Sequence, residues 1–245
     1  MLIKKAIIAA VSACMLFLLI AGCSSNEENP IAPPTTSKPP TFTLKKISFP
    51  QHMLSSTDAH AQQAVALVNE ALDFDPCGCV FAPPSGAETV KETNGEWEYS
   101  WTSGDLTQTL QITAVSGRNS WKIFYDGAQG GTTFSNWRFM DAVQSTDLSS
   151  GHVTLFKAGT VETEMEWVWY TLEQNEYKII RQFYGDPPYK IDLSIKPDNS
   201  GKIDRFAPNS SGSMVYDVKY SWSADGTGSY WTFEDGKQTG FGTWQ

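Results

Sequence analysis

The chain has 245 residues, enough for one large β domain or two small ones. Its composition, 40% hydrophobic and 18% charged, is that of a chain that mostly folds. An excess of 27 acidic over 18 basic residues argues against a phosphate-neutralising surface and so against nucleic acid as a partner. Three dispersed histidines (His52, His60, His152) give no basis for a His-rich metal site.

The N-terminus reads as an export signal. Lys4 and Lys5 precede an apolar run from Ala6 to Gly22, short for a spanning helix and normal for a signal h-region. The run ends Leu19-Ile20-Ala21-Gly22-Cys23-Ser24. These residues resemble the lipobox of bacterial lipoproteins, and the resemblance covers residues 1 to about 25. It implies that the Cys23 thiol is joined to diacylglycerol and that a signal peptidase removes residues 1–22. It also implies that the new amine is often acylated. The implied partners are a membrane, reached through the lipid, and the lipoprotein processing and sorting machinery. Ser24 in place of Asp implies delivery to the outer membrane. Asn26-Glu27-Glu28-Asn29 is similar to the acidic run of some surface-displayed lipoproteins. Loss of residues 1–22 leaves 16 basic and 27 acidic side chains, a net charge of −11.

Residues 23–50 form a tether rich in Pro, Ser and Thr that cannot bury a core and favours extended polyproline II. The folded domain is then residues 51–245. One helix is expected over about 57–74, with Ala61, Ala64, Val65, Val68, Ala71 and Leu72 on one stripe. Ser56 or Thr57 would cap it, Asp75-Pro76 would end it, and His60 would sit in solvent.

Beyond Cys14 in the signal and Cys23, the cysteines are Cys77 and Cys79, in Pro76-Cys77-Gly78-Cys79. In an oxidising compartment three readings stand: a disulfide that locks the turn after the helix, a reduced pair, or a labile redox bridge. No second Cys or His cluster completes a zinc site, so no metal is expected.

Of the aromatic residues, 26 lie between 96 and 245, including all nine tryptophans. Alternating runs recur there with turn signals such as Ser103-Gly104-Asp105, Ser116-Gly117, Asp198-Asn199-Ser200-Gly201, Asp225-Gly226 and Asp235-Gly236. With no helix between the strands, the connections impose an antiparallel meander of ten to twelve strands. The expected fold is mainly β: a strongly curved sheet or open barrel with the N-terminal helix packed on it. The period of two puts Trp97, Tyr99 and Trp101 on one face, and likewise Tyr216, Val218, Tyr220 and Trp222. Apolar residues on both sides of 165–172 and 179–184 predict a sheet centre covered twice. This order of lipid anchor, helix and meander is similar in architecture to the half-barrel carriers of lipids and lipoproteins. Phe233 to Gly242 resembles a single MORN repeat, without a second copy, and reads as a glycine-rich hairpin.

Chemistry is less legible. Glu162, Glu164 and Glu166 read as a solvated acidic face, Asp198 to Asp204 as a turn, and no Ser-His-Asp spacing supports a hydrolase. The expectation is a non-enzymatic domain without cofactor that binds an apolar ligand or lipid. The candidate contacts are Trp97, Tyr99, Trp101, Trp167, Trp169, Tyr220 and Trp222. The alternative is a surface module that meets glycans or proteins through exposed aromatic platforms.

Overall fold

The computed structural model describes residues 38–74 and 81–245. The export signal, Cys23, most of the tether and the Cys77–Cys79 pair lie outside the described residues. Short turns of Gly, Asp and Asn send each strand back along its predecessor. The described residues form thirteen strands: β1 (Glu88–Thr93), β2 (Glu96–Ser103), β3 (Leu106–Val115), β4 (Arg118–Gln129), β5 (Thr132–Ser145), β6 (Ser150–Phe156), β7 (Thr163–Thr171), β8 (Tyr177–Phe183), β9 (Tyr189–Ile195), β10 (Gly201–Pro208), β11 (Met214–Trp222), β12 (Gly228–Glu234) and β13 (Lys237–Trp244). They make one antiparallel sheet in sequence order. β1 and β13 do not pair with each other, so the sheet is open. The strand beyond the expected number is β1, whose six residues are all exposed and carry no apolar alternation.

Before the sheet come a short helix, α1 (Gln51–Ser55), and the long one, α2 (Ala59–Leu72). Asp58, rather than Ser56 or Thr57, caps α2: its carboxylate accepts from the amides of His60 (2.8 Å) and Ala61 (3.3 Å). Ala61, Ala64, Leu67, Val68 and Ala71 form the buried stripe, and their small side chains let the helix lie close against β8, β9 and β10. His60 is not in solvent. Its ring stacks on Tyr230 with centroids 3.4 Å apart.

Curvature follows from widths. Thirteen strands laid flat would span about 60 Å, whereas a helix with its side chains is about 10–12 Å across. Yet one buried cluster reaches from Trp97 in β2 to Trp244 in β13. The sheet therefore curls round the helix. Phe42, from the segment before α1, shows the same closeness: its ring lies 5.3 Å from Trp121 in β4 and 5.8 Å from Trp169 in β7. Only the inner face is well covered. Val168, Tyr170 and Ile180 on the outer face are half-buried, so the expected double covering of the sheet centre is not found.

A second departure comes from a bulge. Register slips between Arg205 and Phe206, so that Val218 and then Tyr216 face consecutive residues of β10. Tyr216 is thereby turned to the outer face, away from Val218, Tyr220 and Trp222. It packs there on Phe206 (4.6 Å) and Phe233 (5.4 Å) beneath the Lys219 ammonium (4.4 Å).

The two ends of the strands are built differently. At the end holding the β5–β6, β9–β10 and β11–β12 turns, one device recurs. Asp147, Asp198 and Asp225 each accept from the amide and hydroxyl of the Ser or Thr two residues on, at 2.6–3.0 Å. A glycine then stands first or second in the next strand, and a tryptophan near the end of its hairpin partner lies over it: Trp169 on Gly151, Trp222 on Gly201, Trp244 on Gly228. A β-carbon at any of these glycines would overlap the indole. In two of the three units the indole N–H donates to the turn carbonyl after the aspartate, Trp222 to Asn199 and Trp244 to Gly226, both at 2.8 Å.

The extended segment 38–50 straps this end. Its Thr43 carbonyl accepts from Gln144 at 2.5 Å, residues 45–48 lie beside Asn175, Pro197 and Asn199, and Pro50 to Met53 cover Gly226.

Candidate functional site

The seven aromatics singled out in the sequence do share one face of the sheet, the inner one. Trp97, Trp167, Trp169, Tyr220 and Trp222 are all buried there, with no more than 5% of their surface exposed. Protein groups already occupy their surroundings. Phe74 stacks on Trp167 at 5.4 Å and meets Trp169 edge-on at 5.5 Å, and the Tyr220 hydroxyl donates to Gln63 of α2 at 2.9 Å. Arg181 reaches across from β8, lies 5.3 Å over Trp167 and donates to the Glu70 carbonyl. Among the described residues the indole N–H groups of Trp97, Trp167 and Trp169 have no acceptor. Tyr99 and Trp101 differ: they are half-exposed, towards the end of the sheet away from the strap.

That unstrapped end holds the groove. β4 and β5 are the longest strands, with 12 and 14 residues, and Gly130 and Gly131 join them at φ 58° and 84°, a turn that needs residues without a β-carbon. β6 pairs only with Met140 to Gln144 of β5, so the rest of the hairpin runs on past it. Register slips twice in this hairpin, between Ile123 and Phe124 and between Tyr125 and Gly127. Such irregularities re-aim side chains. Here they gather four rings: Phe134 stacks on Trp137 (4.8 Å, 20°), Tyr125 on Phe139 (4.8 Å, 11°), and Tyr125 meets Trp137 at 5.7 Å. Burial raises the Tyr125 hydroxyl above its usual pKa, so it stays neutral.

The facing wall is the β6–β7 loop. Its Thr160 carbonyl accepts from the Trp137 indole at 2.6 Å, which fixes the ring, and Lys157 pairs with Glu162 at 3.1 Å across the loop. Glu162 thus lies outside β7 rather than in a row with Glu164 and Glu166. Hairpin and loop flank an open groove of about 840 Å³, with the half-exposed Trp137, the exposed Val161 and the buried Phe134 as its apolar lining. Its polar lining comes from Asn136, Arg138, Thr160 and Glu162. Asn136 has φ 46°, a left-handed conformation within a strand, where its backbone N–H donates to the Asp126 carboxylate at 3.2 Å.

Phe134 and Trp137 were not among the residues picked from the sequence, where 126–136 reads as a gap between strands. The available signal was Gly130-Gly131 flanked by residues that continue both alternations. The groove presents the half-exposed Trp137 ring, with Phe134 buried behind it, beside hydrogen-bonding groups and one ion pair. Among the described residues no group of three His, Cys, Asp or Glu side chains comes together to hold a metal ion. Comparison with family models, curated proteins and solved structures finds no match to the chain.

Proposed function

We propose that the chain is a bacterial envelope lipoprotein, anchored to the outer membrane through Cys23, whose β domain is a non-enzymatic module that binds glycans at the hairpin groove. The half-exposed Trp137, backed by the buried Phe134 in the 840 Å³ groove, carries this reading. Sugar rings dock their C–H faces on such aromatic planes, and Asn136, Arg138, Thr160 and Glu162 supply partners for hydroxyls. The layout supports it too. The strap, which leads back towards Cys23, crosses one end of the strands, and the groove opens at the other. A tethered domain would hold such a groove away from its lipid.

A second reading, an apolar ligand or lipid, rests on Tyr99 and Trp101. They remain half-exposed on the inner face, in the row that Tyr125 continues. One titration separates the two. The full chain in neutral detergent is titrated with soluble peptidoglycan fragments and with a fluorescent fatty-acid analogue. Glycan binding that Trp137→Ala weakens tenfold or more supports the groove. Fatty-acid binding lost in Trp101→Ala, with no response to glycans, would replace it with the lipid reading.

A further inference from the structure

The strapped end contains a feature that neither reading uses. A cavity of about 260 Å³ lies between the strap and the β7–β8 and β9–β10 turns, lined by Lys45, Lys46, Lys196, Asn175, Asn199 and Tyr177 among others. In a chain of net charge −9, three lysines line it and no carboxylate does. None of the three has an ion-pair partner among the described residues. Asp198, the acid that feels Lys196, is turned onto the Ser200 amide and hydroxyl at 2.9 and 2.6 Å.

Tyr177 adds an independent observation. The residue is 3% exposed, the Lys45 ammonium sits 5.3 Å over its ring, and its hydroxyl has no hydrogen-bond partner among the described residues. A buried hydroxyl left unpaired is costly, by about 1–3 kcal/mol. Unpaired cations gathered on a concave surface repel one another. A single small anion would relieve that repulsion.

We propose that this cavity is an oxyanion site that takes a phosphate or phosphodiester group. Lysines bind such groups as point charges without demanding one geometry, which suits three flexible stems around a small space. The occupant would join the strap to two turns of the sheet, because Lys45 and Lys46 belong to the first and Lys196 to the second. Two sources share this chemistry, free phosphate and the headgroup of an anionic lipid. The headgroup source rests on the lipoprotein reading above; the free-phosphate source does not.

Lysine acylation rates, mapped by mass spectrometry on the full chain, test the site. In neutral detergent, potassium phosphate is compared with potassium chloride at equal ionic strength. In nanodiscs, phosphatidylcholine alone is compared with a mixture containing phosphatidylglycerol. Lys45, Lys46 and Lys196 are expected to slow by about fivefold or more as bound ammonium groups, with Lys202 and Lys219 unchanged. Lys196→Gln is expected to remove the protection of Lys45 and Lys46 and to weaken phosphate binding about tenfold. Protection by phosphate assigns a free oxyanion, and protection by phosphatidylglycerol a headgroup. Unchanged rates at all three lysines in both comparisons would overturn the site. A chain that fails to enter nanodiscs but is protected by phosphate would overturn the anchor and leave the site standing.

Discussion

The strapped and unstrapped ends of this sheet use the same residue types to opposite effect. At the strapped end Trp169, Trp222 and Trp244 each face a glycine across the hairpin, so the ring lies on backbone, and α2, Phe42 and Phe74 close over the rest. At the unstrapped end β4 and β5 outrun β6, nothing pairs beyond Met140 on that side, and Tyr125, Trp137 and Phe139 stay half-exposed over a buried Phe134. A high aromatic content therefore does not by itself distinguish core from site. What lies across the hairpin does.

The sharpest way to break this comparison is truncation at each end. Trp169→Ala removes a ring that is 1% exposed and wedged between Phe42, Phe74 and Gly151, and is expected to cost roughly 3–5 kcal/mol in denaturant unfolding. Trp137→Ala removes a half-exposed ring and is expected to cost only about 1 kcal/mol while ligand binding collapses. Equal costs would show that the hairpin tip is core as well.

A smaller effect comes from pH. Hydroxyl and amide donors hold the Asp147 and Asp225 carboxyls at about 2, below the ordinary 3.8: Ser145 and Ser149 at the first, Ser223 and Thr227 at the second. A carboxyl depressed in the folded state adds stability that is full above its unfolded value and is lost as pH falls through its folded one. The strapped end is thus expected to loosen between pH about 4 and about 2. Amide exchange at Gly151 and Gly228 should rise over that range before exchange at Gly131 does. Loosening that begins at Gly131 would contradict the assignment of the aspartate turns as locks.

These contrasts also explain what was readable in the sequence. The meander was, because Gly and Asp turns and the period of two are local. The α2 stripe was readable for the same reason, although the cap lay at Asp58. Tyr216 and the Phe134–Trp137 pair were not, because a bulge changes the face without changing composition, and only the partner strand shows where it falls. The period of two grouped the aromatics strand by strand, and the structure places all seven on the inner face. Whether a ring on that face meets a ligand or a helix depends on residues more than a hundred positions away, such as Gln63 for Tyr220.

That separation has a consequence for how the chain comes together. Every strand pairs only with its neighbours in sequence, so the sheet can lengthen hairpin by hairpin, closing loops of a few residues each time. The strap and α2 have no such neighbours. Thr43 must find Gln144, Glu70 must find Arg181, and Gln63 must find Tyr220, at separations of 101, 111 and 157 residues. For an inner layer assembled this way, the residues synthesised first are the last to reach their places.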